Sequence, residues 1–129
     1  MFFTLCSTNN GYEDCHQTIM INNTQSTNSI YYYTTLKDGF WNYNPTNPDY
    51  AIDYKILPGE SKKIRIGMGE TTPCWEQMLK SASGYLYIYI YDANYLESTD
   101  WNTAKKNYLK KYTLTVSQLK KMNWIIKYP

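Results

Sequence analysis

Aromatic rings and hydrogen-bonding side chains alternate in the segment 38–50. The rings belong to Phe40, Trp41, Tyr43 and Tyr50, and the polar members are Asn42, Asn44, Asn47 and Asp49. Flat rings stack on the faces of sugars while amides and carboxylates bind sugar hydroxyls, and loops on a rigid scaffold commonly carry such sites. The predicted ligand-binding residues are Trp41, Asn42, Tyr43, Asp49 and Tyr50. In the alternative, Trp41 and Tyr50 fold inward and close one end of the core.

Residues that could support hydrolysis are few. A nucleophilic Ser or Cys normally needs a base beside it. His16 is the only histidine that could be this base, and it directly follows Cys15, which we expect to be in a disulfide. The chain has no C-x-x-C spacing, no phosphate loop and no dinucleotide-binding fingerprint, so we predict neither a metal nor a cofactor. We therefore predict a protein without catalytic residues. A small enzyme or an enzyme inhibitor, with a site that the sequence does not reveal, stays open as an alternative.

The cysteines bear on both structure and location. The most economical pairing joins Cys15 to Cys74, and the long loop that it closes would stabilise the fold by roughly 4 kcal/mol. A disulfide indicates an oxidising compartment and therefore export. Two buried thiols are the alternative, because connectivity cannot be read from a sequence.

Cys6 is left over, in a segment whose composition is typical of a lipoprotein signal. The apolar residues "MFFTL" precede it and the polar residues "STNNGYED" follow it. We expect a lipid on Cys6 and a signal that begins upstream of Met1. In this interpretation residues 1–14 form an apolar stub and a polar tether, and residues 15–129 form a single domain. No other segment reaches the ~18 apolar residues of a membrane span.

The segment "YLYIYIYD" (85–92) has the period of a β-strand, with phenols on one face and aliphatic side chains on the other. The phenol face carries Tyr85, Tyr87, Tyr89 and Tyr91, and the aliphatic face carries Leu86, Ile88 and Ile90. We expect the aliphatic face to contact a second sheet. We expect helices near the C-terminus to cover most of the phenol face, because burying an apolar side chain contributes ~1.5–3 kcal/mol. Tyr85 or Tyr91 would then stand at the rim. In the alternative, the tyrosines remain uncovered and form a stacking platform for a ligand.

Strand-like runs separated by turn signals dominate the chain. The further predicted strands are 18–22, 29–35, 50–57, 62–67, 108–114 and 123–129. The first two resemble a hairpin with a long loop, and the next two resemble a hairpin around Pro58 and Gly59. Short helices are predicted at 74–82, at 101–108 after the capping residue Asp100, and at 116–122 after a capping box. The predicted fold is mainly β: an antiparallel β-sandwich, Ig-like, with short C-terminal helical additions.

Positive charge is concentrated at the C-terminal end of the chain. The net charge is only +2, but residues 101–129 contain seven lysines and no acid. This segment could meet an anionic surface, and a solvated face that attracts the acidic remainder of the chain is the simpler interpretation. With no arginine cluster and no nucleic-acid-binding motif, we expect no nucleic-acid partner.

The segments "EDCHQTIMINN", "SIYYY", "LPGESKKI", "CWEQML", "YLYIYIYDANYLE" and "YTLTVSQLKKMNWIIKYP" together cover much of residues 13–129. In them the chain resembles small secreted lipoproteins of gut bacteria of the Bacteroides group. The resemblance implies export, a lipid on Cys6 and one sandwich-like domain, and it supplies no catalytic residue.

These features predict an exported, lipid-anchored, non-enzymatic protein of the cell envelope, located at the outer membrane or the cell surface. Its membrane partner would be reached through the lipid anchor, and its loops would bind a glycan or a protein. The specific alternative is a carbohydrate-binding module that uses the aromatic 38–50 loop. The sequence does not indicate an oligomeric state.

Overall fold

The computed structural model describes residues 15–39, 43–49, 51–65 and 74–129. These residues form a mixed α/β structure, rich in strands, with seven strands in two sheets and five short helices. The strands are β1 (Met20–Asn23), β2 (Ile30–Thr35), β3 (Lys55–Ile56), β4 (Ser61–Lys63), β5 (Leu86–Asp92), β6 (Lys110–Leu114) and β7 (Ile125–Tyr128). The helices are α1 (Ala51–Tyr54), α2 (Trp75–Ser81), α3 (Ala93–Glu97), α4 (Trp101–Ala104) and α5 (Val116–Lys121).

The two sheets differ in strand direction. The four-stranded sheet has the order β3-β2-β5-β6 and is antiparallel throughout. The three-stranded sheet has the order β4-β1-β7, in which β4 is antiparallel to β1 but β7 is parallel to it. The predicted antiparallel arrangement is therefore wrong for the β1–β7 pair. Here α5 carries the chain from one sheet to the other, so no tight turn forces antiparallel pairing.

Neither predicted hairpin forms. β1 and β2 belong to different sheets, and so do β3 and β4. The turn at Pro58 and Gly59 is present: Gly59 has a φ of 76°, and the N–H of Glu60 donates to the carbonyl of Leu57 at 2.9 Å. This turn passes the chain from one sheet to the other. A turn signal therefore predicts a reversal of direction without deciding which sheet receives the next strand.

Polar side chains join the sheets. The buried Asn23 of β1 donates from Nδ2 to the carbonyl of Ile56 in β3 at 3.1 Å. The hydroxyl of Tyr32 in β2 accepts from the N–H of Arg65, just after β4, at 2.9 Å. Buried amides and hydroxyls cost free energy unless they are hydrogen-bonded, so these contacts specify how the sheets adjoin.

The aliphatic face of β5 lies in the core, as predicted. Leu86, Ile88 and Ile90 are fully buried, and they belong to one apolar cluster with Ile21 of β1 and Ile126 of β7. The phenol face of the same strand is therefore turned away from the side that the aliphatic residues occupy, because successive strand residues point to opposite faces.

The predicted disulfide between Cys15 and Cys74 is present, with 5.0 Å between the Cα atoms and a sequence separation of 59. It joins the segment before β1 to the residue that precedes α2, where Trp75 and Leu79 are buried. A bridge across so long a loop stabilises the fold mainly by restricting the unfolded chain.

Helix signals were reliable where a capping residue was visible. Asp100 accepts from the N–H of Thr103 at 3.0 Å and begins α4, and the capping box of Thr115 and Gln118 begins α5. Helix α3 was not predicted; it begins after Asp92, whose carboxylate accepts from the N–H of Tyr95 at 2.9 Å. Two of the helices, α1 and α2, precede the C-terminal part of the chain. Among the described residues, no helix has the length and apolar character needed to cross a membrane.

Candidate functional site

The outer surface of the four-stranded sheet is dominated by phenol rings. Directly opposed residues of an antiparallel pair point to the same face, and Tyr33 of β2 lies opposite Tyr89 of β5. We call this surface the tyrosine face. It consists of Tyr31, Tyr33, Tyr87, Tyr89 and Tyr91, with Lys111 and Thr113 of β6 beside them. Tyr85, directly before β5, continues the alternation and extends this face.

The end of the tyrosine face around Tyr33 and Tyr91 is covered. Trp101 of α4 places its ring 5.2 Å from that of Tyr33 and 5.5 Å from that of Tyr91. Tyr43 stacks on Tyr33, with 4.3 Å between the ring centroids and an angle of 13° between the planes. Tyr33 and Tyr91 are fully buried, so this part of the face belongs to the core.

The predicted cover is confirmed for α4 and wrong for α5. Helix α5 buries Leu119 and contacts α2 instead. Of the two residues expected at the rim, Tyr85 is 43% exposed, whereas Tyr91 is buried. The hydroxyl of Tyr91 donates to the carbonyl of Lys105 at 2.6 Å, and burial raises the pKa of this phenol well above its usual range.

A carboxylate, a phenol and an ammonium group meet at Asp38. The hydroxyl of Tyr89 donates to Asp38 Oδ1 at 2.6 Å, and Lys111 Nζ donates to the same oxygen at 2.9 Å. The ammonium of Lys111 also lies 5.5 Å from the ring centroids of Tyr87 and Tyr89, which places it over both rings. The group is therefore a compact set of donors, acceptors and ring faces.

Protonation at this group follows from its contacts. The hydrogen bond from Tyr89, followed by that from Lys111, lowers the pKa of the Asp38 carboxyl below its ordinary value. Burial, followed by the hydrogen bond to Asp38, raises the pKa of Tyr89 to about 12. At neutral pH the group thus holds a carboxylate, a neutral phenol and an ammonium.

Beyond Tyr89 the tyrosine face opens to solvent. The exposed ring of Tyr85 lies 6.1 Å from the half-buried ring of Tyr87. Tyr108 is 38% exposed and packs edge-on against Tyr89, with the centroids 5.1 Å apart. We call this region the open tyrosine patch, and it comprises Asp38, Tyr85, Tyr87, Tyr108 and Lys111.

The open tyrosine patch has the groups that a polar ligand with a flat apolar face requires. Exposed phenol rings offer stacking surface at low conformational cost, and each ring also carries a hydroxyl. The carboxylate of Asp38 accepts hydrogen bonds and the ammonium of Lys111 donates them. The patch can therefore bind by stacking and hydrogen bonding.

The predicted ligand-binding residues are divided by the structure. Trp41, Asn42 and Tyr50 lie outside the described residues. The ring of Tyr43 is 5% exposed and stacked in the core, so it is not available for stacking on a ligand.

Asp49, the remaining predicted ligand-binding residue, is exposed, and its N–H donates to the side chain of Asn47 at 3.0 Å in a local turn. The predicted lipid-carrying residue Cys6 also lies outside the described residues.

The only histidine of the chain lies against α2. His16 Nδ1 is 2.6 Å from Glu76 Oε2, its backbone N–H donates to Glu76 Oε1 at 2.8 Å, and its ring stacks on Trp124 at 4.1 Å. The pKa of the Glu76 carboxyl is below its ordinary value, because the hydrogen bonds from His16 outweigh the opposing effect of burial. The adjacent Cys15 is bonded to Cys74, so neither sulfur is a free thiol that could act as a nucleophile beside this imidazole.

One cluster of potential metal ligands occurs among the described residues. Cys15, Cys74 and Glu76 place a ligand atom each within 4.8 Å of one another. Zinc is bound by cysteine thiolates, and both sulfurs are here joined in the disulfide. The cluster is therefore the surroundings of a disulfide bond.

Sequence reasoning identified the phenol side of β5 as an alternative stacking platform, but it missed Asp38 and Lys111 of the open tyrosine patch. Strand alternation does place Lys111 on the phenol side of β6, so this residue could have been predicted from the register with β5. Asp38 follows β2 in an irregular segment, and no local signal connects it to Tyr89, which is 51 residues away in sequence.

Comparisons with known proteins add no relative. No protein-family model matches the chain, and no curated protein or solved structure matches it closely enough to indicate a relationship.

Proposed function

We propose that this protein is an exported, non-enzymatic binding domain of the cell envelope, and that its ligand or partner binds at the open tyrosine patch. The observation that carries the proposal is the contrast in one sheet face between buried phenols under Trp101 and exposed phenols beyond Tyr89. Rings that only filled a core would be covered throughout, whereas exposed aromatic residues beside polar groups are typical of binding surfaces.

Export is supported by the disulfide between Cys15 and Cys74, because such bonds persist in oxidising compartments. In our proposal the protein is a lipoprotein of the Bacteroides type, held at the outer membrane or the cell surface by a lipid on Cys6. The two sheets would then form an Ig-like sandwich that presents the patch to the surroundings.

The lipid anchor is tested by metabolic labelling. The full gene product, expressed in a Bacteroides host fed an alkyne-bearing fatty acid, should take up the label, and the Cys6→Ser variant should not. Equal labelling of both proteins would overturn the proposed anchor, while the binding function would be judged by its own experiment.

A carbohydrate is the specific form of ligand that the patch favours. Sugar rings present a flat C–H face and several hydroxyls, which match the exposed rings of Tyr85 and Tyr87 and the carboxylate of Asp38. In this second candidate function the chain is a carbohydrate-binding module. Its site then lies on the sheet face, with the 38–50 loop as a further source of aromatic contacts.

A glycan array tests the binding function. We expect hits with the unmodified protein that are lost in Tyr85→Ala and weakened in Asp38→Asn. Leu57→Ala is the matched control: it truncates an exposed side chain that directly follows β3 and is not part of the open tyrosine patch, so this variant should bind normally. A Trp41→Ala variant measures what the 38–50 loop contributes. Hits that persist in Tyr85→Ala would show that the sugar binds outside the open tyrosine patch. An array without hits would overturn the carbohydrate ligand, and crosslinking at residue 85 would then test for a protein partner.

A further inference from the structure

Strand β6 forms one edge of the four-stranded sheet. It pairs with β5 on its inner side, and no described strand lies on its outer side. With five residues it is the longest of the described edge strands, since β3 has two, β4 three and β7 four. Alternate residues of an edge strand direct their backbone N–H and C=O groups outward, where another strand can pair with them. The outer side of β6 therefore matches the backbone of a further β-strand.

Lysine side chains commonly protect a sheet edge from such pairing, but both lysines of β6 are held over the sheet. Lys110 Nζ lies 5.5 Å from the ring centroid of Tyr112. Lys111 Nζ, on the opposite face, donates to Asp38 Oδ1 at 2.9 Å, and this ion pair offsets its charge. The two ammonium groups are thus directed over the two faces of the sheet rather than across its edge.

The order of side chains in β6 suits antiparallel pairing of this strand with itself. When Tyr112 lies opposite the same residue of a second copy, Lys110 faces Leu114 and Lys111 faces Thr113. Like charges that are directly opposite one another destabilise a strand pair, and this register contains no such pair. The two rings at the centre form an aromatic cross-strand pair, which is a stabilising combination. The strand is therefore complementary to a second copy of itself.

Charge repulsion between the two copies is limited in this register. The two Lys110 residues lie about 14 Å apart along the strands, which exceeds the Debye length of ~8 Å at physiological salt. The two Lys111 residues are closer, at about 7 Å along the strands. Each of these ammonium groups has the carboxylate of Asp38 as its partner, so their mutual repulsion is reduced.

We propose that a second copy of this chain pairs with β6, antiparallel and in this register, and that the protein thereby forms a symmetric dimer. The sheets of the two copies then join into one sheet with the order β3-β2-β5-β6-β6-β5-β2-β3. A two-fold axis perpendicular to the sheet relates the copies, so both tyrosine faces point to the same side. The contact between two five-residue strands is small, so we expect a dissociation constant on the order of 10 to 100 μM.

The dimer places the open tyrosine patches of both copies on one surface. Three strand steps of ~4.8 Å separate the two β5 strands, which are therefore about 14 Å apart. A polymeric ligand that spans this distance binds two patches at once, and the second contact forms at a high effective concentration. This consequence rests on the proposed binding function, whereas the pairing of β6 does not depend on it.

Sedimentation velocity of the full chain, from about 1 μM to about 1 mM, tests the pairing. We expect monomer at the lowest concentration and dimer at the highest. Thr113→Lys places a lysine opposite Lys111 of the second copy and should weaken the dimer, whereas Thr113→Glu places a carboxylate there and should strengthen it. The dissociation constants of these two variants should differ by about ten-fold, because the two-fold axis makes each substitution count twice.

Matched controls carry the same substitutions outside the sheet. Gln77 is an exposed residue of α2, so Gln77→Lys and Gln77→Glu add the same charges away from β6. Both should leave the dissociation constant of the dimer within about two-fold of the unmodified protein. Lysine and glutamate are similarly unfavourable in strands, so the two substitutions at Thr113 should affect folding alike.

A cysteine crosslink tests the register. In a Cys6→Ser background, Tyr112→Cys brings two sulfurs together at the two-fold axis, where opposed Cα atoms lie about 4.5 to 5.5 Å apart and a disulfide can form. Thr113→Cys leaves the corresponding Cα atoms about 8 Å apart, which is too far for an unstrained disulfide. We expect diamide oxidation to give a covalent dimer with the first variant and little with the second, on a non-reducing gel.

The outcomes separate the dimer from the binding function. A chain that stays monomeric at about 1 mM would overturn the dimer. So would a dimer that Thr113→Lys and Thr113→Glu affect equally and that crosslinks equally through both cysteine positions. Hits on the glycan array with a monomeric protein would retain the proposed binding function alone. A dimer that responds as expected, together with an array without hits, would retain the pairing of β6 and remove its role in binding a polymeric glycan.

Discussion

Two clusters, each made of a tyrosine, a lysine and a carboxylate, lie at opposite edges of the four-stranded sheet. At one edge the Tyr31 hydroxyl and Lys55 Nζ both donate to Glu97 Oε2 at 2.7 Å, and Lys55 lies 5.9 Å from the ring centroid of Tyr31. At the other edge, Tyr89 and Lys111 donate in the same way to Asp38. In both, the lysine is the direct cross-strand neighbour of the tyrosine.

The two groups differ in what holds the carboxylate. Glu97 ends helix α3, whose Leu96 is buried in the core, and its side chain is 38% exposed. Asp38 lies in an irregular bend and is more exposed. A packed helix makes the first group part of the structural framework, whereas the second stands among exposed rings. The same chemistry thus serves as a clamp at one edge and as a candidate binding surface at the other.

The largest expected effect concerns the covered part of the tyrosine face. Tyr33→Ala removes a fully buried ring that contacts Tyr43 and Trp101, so it should lower the free energy of unfolding by about 4 kcal/mol. Urea denaturation followed by far-UV circular dichroism measures this loss. A loss below about 1 kcal/mol would mean that the cover over Tyr33 does not contribute to the core.

A smaller loss of stability is expected on removing the N-cap of α4, the helix that covers the tyrosine face. Asp100→Ala removes the side-chain cap of α4, the helix that carries Trp101, and should cost about 1 kcal/mol. Asp100→Asn keeps a capping side chain and is the matched control, with a loss of a few tenths of a kcal/mol. If both variants lost the same stability, the cap would not be what holds α4 in place.

The contribution of the Tyr31–Lys55–Glu97 group to the free energy of unfolding should depend on pH. The hydrogen bond from Lys55 lowers the pKa of Glu97 in the folded protein below its value in the unfolded chain. The Glu97 carboxylate therefore stabilises the fold fully above the ordinary pKa of about 4. This stabilisation is lost as the pH falls through the lower pKa of the folded state. Glu97→Gln should therefore cost under about 1 kcal/mol at pH 7 and close to nothing at pH 2. An equal cost at both pH values would show that the carboxylate charge plays no part.

The smallest effect on stability is expected at the open end. Tyr85→Ala truncates an exposed ring and should change the free energy of unfolding by no more than about 0.5 kcal/mol. Thermal denaturation beside Tyr33→Ala measures the difference directly. A loss comparable to that of Tyr33→Ala would make Tyr85 a structural residue and remove the contrast between the two ends of the tyrosine face.

Local signals in the sequence predicted much of the secondary structure. Strict alternation gave β5 and its two faces, and side-chain caps gave the starts of α4 and α5. The pairing of Cys15 with Cys74 was also correct. Each of these depends on residues that are close in sequence or on a choice among three cysteines.

Sheet membership could not be predicted, because it depends on contacts between distant segments. The parallel position of β7 beside β1 joins residues at opposite ends of the described chain. The burial of Tyr43 depends on Tyr33 offering a free ring face, which no pattern within 38–50 reveals. The same holds for the open tyrosine patch, whose members come from the segment after β2, from β5 and the residue before it, and from β6 and the stretch that leads into it.

The most direct test follows the tyrosine rings themselves. In a protein with 13C-labelled tyrosines, titration with a bound saccharide from the array should shift the ring resonances of Tyr85, Tyr87 and Tyr108 and leave those of Tyr33 and Tyr91 in place. Shifts confined to other tyrosines, or equal shifts across the whole tyrosine face, would contradict the assignment of binding to its open end.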